Sequence, residues 1–190
     1  MSSFEYLGIL VSVVLGLAIT RLTAGTSQSI KRADVRLFWV QLAWTFGIWL
    51  YVLAIWWGMV SWDFLDAWTF PLFLFIMLYA TVLYLLADAL YPHRMPPGTD
   101  LEEHFYSHRR WFFGLLALGA LVDIPETVLK ETMGLREIPV AYFVFVGVWL
   151  LVAVVGFVSA NRKVHAVLAV GWPVMVLTYL TGSLYMLWQG

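Results

Sequence analysis

Apolar residues along the chain fall into six long runs, at about 4–25, 37–60, 69–90, 111–130, 139–160 and 166–188. Charges, prolines and short polar stretches gather between them. Most runs reach ~20 residues, the length of helix that crosses a bilayer core about 30 Å thick. The pattern predicts an all-α polytopic membrane protein, a single bundle of six transmembrane helices spanning residues 1–190. Only the connection at 91–110 is long, and no segment outside the runs is large enough to form a separate domain.

The fourth run tests this reading. Its first twelve residues, 111–122, are uncharged and cover about 18 Å as helix. Asp123, Pro125 and Glu126 then interrupt it before a bilayer is crossed. The basic residues argue that it spans all the same. Lys31, Arg32 and Arg36 mark the first connection, Arg94, Arg109 and Arg110 the third, and Arg162 and Lys163 the fifth. The second has Asp63 and Asp66 and no base, and the fourth sets Lys130 and Arg136 against Glu131 and Glu137. Basic residues on alternate connections require a crossing at 111–130, with odd-numbered connections cytoplasmic and both termini outside. Trp39, Trp62, Trp68, Trp111 and Trp188 fall near span ends, as interfacial aromatics do. The opening MSSFEYL has no basic leader region, so the first run is expected to stay as a span.

Local signals refine the picture. Thr99-Asp100-Leu101-Glu102 has the spacing of a capping box, predicting a helical turn from about 100 that runs into the fourth span. Pro92, Pro96, Pro97 and Gly98 make the stretch before it a loop. Gly8, Ser12, Gly16, Thr20 and Ala24 recur every four residues in the first span. In lipid, such a stripe lets another helix approach closely, which would make this span central. An offset of 100 residues pairs Gly47-Ile48-Trp49-Leu50 with Gly147-Val148-Trp149-Leu150, Tyr79 with Tyr179, and Thr81 with Thr181. An offset of 103 sets Leu15-Gly16 against Leu118-Gly119 and Thr20 against Asp123. Three spans per half would make such a duplication an inverted repeat, a plan common among transporters.

Composition agrees: 62% of residues are hydrophobic and 12% charged, well below the share of about 25% charged in soluble domains. A formal net charge of −1 gives no case for nucleic acid. The absence of cysteine removes disulfides, thiolate metal sites and thiol catalysis.

Candidate chemistry centres on Asp123 and Glu126, three residues apart on one helix face. Such groups at depth face the bundle interior or water, and Pro125 leaves the Leu121 carbonyl without its helical donor. The pair, with Pro125, reads as a proton or cation site. The competing readings are an early end of the fourth span near Asp123 and a structural ion pair. Arg21 and Asp88 lie about 26 and 28 Å along their spans, at similar depth near the cytoplasmic boundary, which allows a salt bridge between them but does not favour it over solvation of Arg21 at the headgroups. Snorkelling of Arg21 is the alternative.

His104 and His108 are one turn apart but supply only two ligands, so no metal site is assigned to them. With His93 and His165, they fall on the predicted cytoplasmic side, which excludes a membrane haem held by two histidines, and no cofactor is expected. HExxH is absent and no Ser–His pair sits at core depth. Trp44, Trp49, Trp56 and Trp57 crowd the second span, as a ligand cage or as lipid contacts.

Phe4-Glu5-Tyr6-Leu7 ahead of the first span and Asn161-Arg162-Lys163-Val164-His165 ahead of the last resemble small uncharacterised bacterial inner-membrane proteins. The resemblance implies an inner-membrane location and no particular function. Two function classes lead, with an enzyme third. One is a small transporter or channel, coupled to a proton or cation through Asp123 and Glu126. The other is a non-catalytic membrane sensor or partner subunit that docks a protein or anionic lipid through its basic loops. The partners expected are the lipid bilayer, a small ion or solute, and a second copy of the chain. A polar cavity reaching Asp123 would favour the first class, and a sealed dry core the second.

Overall fold

The computed structural model describes residues 3–65 and 67–187. Asp66 and Trp188 therefore lie outside the described residues. The described chain is helical: α1 (Ser3–Lys31), α2 (Trp39–Gly58), a 3-10 segment (Met59–Phe64), α3 (Phe70–Asp88), α4 (Leu101–Thr132), α5 (Val140–Val158) and α6 (Arg162–Leu187). All six α-helices are long and apolar enough to cross a membrane, as an integral membrane protein requires. The basic residues of the odd-numbered connections cluster at one end of the bundle. Several are helical: Lys31 closes α1, Arg109 and Arg110 lie within α4, and Arg162 and Lys163 open α6.

The helices pack as a ring in the order α1, α3, α4, α5, α6, α2, with α2 also touching α3 and α4. α1 is therefore not central. It packs on α2 and α3 through Leu7, Val11, Leu15, Ala18 and Leu22. The small-residue stripe lies beside that face and points outward. Ser12, Gly16 and Thr20 are exposed, and a Cβ added at Gly8 or Gly16 would meet nothing within 4 Å. At Gly8 and Gly16 the stripe thus brings no other helix of this chain into close approach. What it meets is a side chain, with Trp56 Nε1 donating to Ser12 Oγ at 3.1 Å. The halves also pack differently: α1 lies closely on α3, whereas their counterparts under an inverted repeat, α4 and α6, make no comparable contact.

α4 shows how local sequence sets the site. Its N-cap is Asp100, which accepts from the backbone of Glu102 and Glu103. Thr99, the first residue of the expected box, instead donates to Pro96 O. The helix then runs 32 residues, about 48 Å, without ending near Asp123. Pro125 lies within it without breaking it, and the proline and Leu121 are both on the exposed side of the helix. At the C-terminus, Gly134 takes φ 68°, a left-handed conformation that glycine adopts without steric cost. Its N–H donates to Glu131 O and that of Leu135 to Lys130 O, a Schellman cap that turns Leu135 and Arg136 back over the bundle.

Aromatic residues fill the middle. Trp44 packs edge-on against Phe112 and Phe113, with ring centroids 5.1 and 5.2 Å away, and Trp172 lies 6.0 Å from Trp44. Tyr51 and Trp149 continue the stack, 4.9 Å apart. Gly47 and Gly156 make this approach achievable, since a Cβ there would overlap the Trp172 and Phe113 rings. The tryptophans of α2 consequently divide: Trp44 is core, Trp49 is half-buried, and Trp56 and Trp57 face outward.

Candidate functional site

At the end of the bundle away from the basic cluster, a cavity of about 420 Å³ opens among α2, the 3-10 segment, α4, α5 and α6. Its rim carries Trp57, Val60, Phe64, Leu135 and Arg136. Tyr142, Phe145 and Tyr179 form a wall, and Tyr51 and Trp149 lie where it meets the central aromatic stack. Asp123, Glu126 and Lys130 descend one face of α4 into it. Counted back from Thr132, they lie roughly 14, 9 and 3 Å from the helix end.

Asp123 and Glu126 share this face, yet each has its own partners. Tyr79 of α3 donates to Asp123 Oδ1 at 2.7 Å, and Tyr142 of α5 to Oδ2 at 2.9 Å. The Tyr51 and Tyr79 hydroxyls are 2.9 Å apart. Tyr79 commits its single proton to Asp123, so Tyr51 donates to Tyr79. Three helices thus direct a chain of hydroxyls at one carboxylate. Glu126 Oε1 accepts from Trp62 Nε1 at 2.8 Å and is 2.6 Å from Lys130 Nζ. Lys130 also donates to Gly58 O at 2.9 Å, and its ammonium lies 5.5 Å from the centre of the Trp62 ring. Asp123, Glu126 and Lys130 are 7%, 5% and 5% exposed.

Three expectations change here. Lys130 is not a charge of the fourth connection but a buried partner of Glu126. Trp62 is not interfacial but fully buried beside that pair. Pro125 is on α4 yet on its outer side, so it belongs to no site with Asp123, and the Leu121 side chain is likewise outward. Tyr79, Tyr142, Trp62 and Lys130 were not among the predicted site residues. Lys130 had a signal, because Glu126 and Lys130 have the four-residue spacing, acid first, that pairs charges on a helix. The aromatic donors had none, since nothing in their local sequence says which way they face.

The ion pair between Glu126 and Lys130 sets Asp123 apart from the other two buried charges of α4. Its hydrogen-bond donors are neutral hydroxyls, and among the described residues no basic side chain is in ion-pair contact with it.

Arg21 and Asp88 are brought together at the basic end, with Nε 2.7 Å from Oδ1. Arg21 also donates to Tyr91 O at 2.8 Å, and His93 Nε2 is 3.4 Å from Asp88 Oδ2. Nearby, Gln41 donates to Leu90 O, and the Tyr91 hydroxyl lies 3.0 Å from those of Thr26 and Thr45. These contacts pin the 89–100 loop to α1 and α2. The His104 and His108 rings lie 4.4 Å apart with their planes tilted by 32°. Among the described residues no group of three or more His, Asp or Glu is placed to hold a metal. His165 is not a surface residue: it is buried among Phe105, Tyr106 and Phe113, with Nε2 2.9 Å from Ser159 O. Compared with protein-family models, curated proteins and solved structures, the chain has no match.

Proposed function

We propose that this chain is a small membrane transporter whose solute or coupling ion balances the charge of Asp123. The observation that carries the reading is a cavity open at one end that reaches a buried carboxylate held only by hydroxyls. A buried charge costs several kcal/mol unless it is paired. Glu126 has its cation in Lys130, whereas Asp123 has none, so a proton or a cation entering the cavity supplies the balance. Tyr79 and Tyr142 orient the carboxylate, and Tyr51 extends the relay. The aromatic stack from Trp149 to Phe113 is then the closed barrier, and opening it on the basic side would complete an alternating-access cycle. The reading needs no inverted duplication, because the cavity draws on α2, α4, α5 and α6 without matching halves.

In this proposal the basic end is cytoplasmic, the cavity faces outward, both termini lie outside and the membrane is a bacterial inner membrane. Proton or cation flux in proteoliposomes is the test. Asp123→Asn keeps shape and hydrogen-bonding capacity and removes the charge, so coupled flux is expected to vanish while the protein remains folded. Unchanged flux removes Asp123 from the mechanism.

A second reading, a membrane sensor or partner subunit, is favoured by a different observation. Lys31, Arg94, Arg110 and Lys163 are exposed at the basic end, where they can meet anionic lipid or an acidic partner. Under that reading the flux is absent in the wild-type protein too.

A further inference from the structure

A second concavity adjoins the cavity from the membrane side. Between the outward faces of α5 and α6 lies a groove of about 920 Å³, lined by Val140, Val144, Val148, Met175 and Thr178. An apolar outer face is ordinary in lipid and is by itself no site. This groove differs because Arg136, Phe145 and Tyr179 line it and the cavity alike. The Phe145 and Tyr179 rings, one from each helix, stack at 4.2 Å with planes 19° apart. A stacked pair is thus the wall between a buried carboxylate site and the hydrocarbon phase.

The charges around these spaces are of both signs. Arg136 stands at the junction, Glu137 at the top of the groove, and Asp123 inside the cavity. A purely anionic head would meet Asp123, Glu126 and Glu137, and a purely cationic one would meet Arg136 and the ammonium of Lys130. A head with an anion near Arg136 and an ammonium on Asp123 satisfies both ends.

From the groove that shares Arg136, Phe145 and Tyr179 with the Asp123 cavity, we infer that the solute is a lipid-derived amphiphile drawn sideways from the bilayer between α5 and α6, its zwitterionic, amine-bearing head in the cavity and its chain in the groove. The inference rests on the reading of Asp123 as the cation site and makes that cation the substrate's own ammonium. The Phe145–Tyr179 pair parts to admit the head, and no covalent step is involved.

The test is calorimetric binding to the purified full-length protein in detergent micelles, with thermal unfolding followed in parallel. The probes are lysophosphatidylethanolamine, lysophosphatidylglycerol and chainless phosphoethanolamine. Saturable binding of lysophosphatidylethanolamine is expected, tighter than either other probe by about tenfold or more, a difference of about 1.4 kcal/mol or above. Val144→Trp and Val148→Trp fill the groove from positions already exposed to lipid, so folding is not at stake. Each should cut the preference for the chain-bearing probe by about tenfold. Phosphoethanolamine binding as tightly as the lysolipid, or both tryptophan variants retaining the full preference, overturns the lipid inference and leaves the Asp123 reading standing. Undiminished lysophosphatidylethanolamine binding in Asp123→Asn overturns both.

Discussion

Replacing Lys130 isolates what holds the mouth of the cavity together. Its ammonium sits 2.6 Å from Glu126 and 2.9 Å from Gly58 O, with both side chains of the pair almost fully buried. Lys130→Met keeps much of the stem and removes the charge. Glu126 then retains a single neutral donor, Trp62 Nε1, and Gly58 O loses its side-chain donor. Removing one member of a buried pair costs about 3–5 kcal/mol, because the other charge stays in a low dielectric without its partner. Glu126→Gln should cost a similar amount from the opposite side. Removing both charges together costs far less, since a buried pair offsets little more than its own desolvation; the double variant is expected within about 2 kcal/mol of wild type. Independent effects would sum to about 6–10 kcal/mol, so the double-mutant cycle should return a coupling of about 4 kcal/mol or more. Denaturant unfolding in detergent micelles measures all four corners. A double variant as unstable as the sum of the singles refutes the reasoning.

Two further outcomes follow from the packing and the charge distribution. Gly156→Ala drives a methyl into the Phe113 ring, and overpacking of this kind costs about 1–3 kcal/mol, readable as a lower unfolding midpoint in the same micelles; a midpoint equal to wild type would show that Phe113 can retreat. Reporter insertions at Gly98, in the basic 89–100 loop, and at Gly134, beside the cavity, should report cytoplasmic and external locations respectively, and the reverse result would turn the cavity toward the cytoplasm.

Depth along a helix axis is legible in a sequence such as this one, and azimuth around it is not. A rise of ~1.5 Å per residue placed Arg21 and Asp88 at matching levels, and the structure brings them to 2.7 Å. The same arithmetic put Asp123 and Glu126 inside the fourth span, where α4 carries them. Facing direction needs a contrast between sides, and α2, α3 and α5 are apolar nearly all round. Nothing local therefore says that Tyr79 and Tyr142 point at one carboxylate, or that Trp62 is buried while Trp57 is exposed. α1 makes the ambiguity concrete. Leu7, Val11 and Leu15 recur every four residues, and so do Gly8, Ser12 and Gly16, one position further on. A single residue is about 100° of rotation, so two stripes of identical period compete for the inner face. Within lipid no hydrophobic force separates them, and packing decides. The larger side chains fill the space against α2 and α3, and the small ones are left outside. The same limit hid Lys130. Its charge and its distance from Glu126 were in plain view, but only the rotation of α4 shows that both lie on the buried side, and that Asp123, one turn deeper, is the carboxylate without a cation.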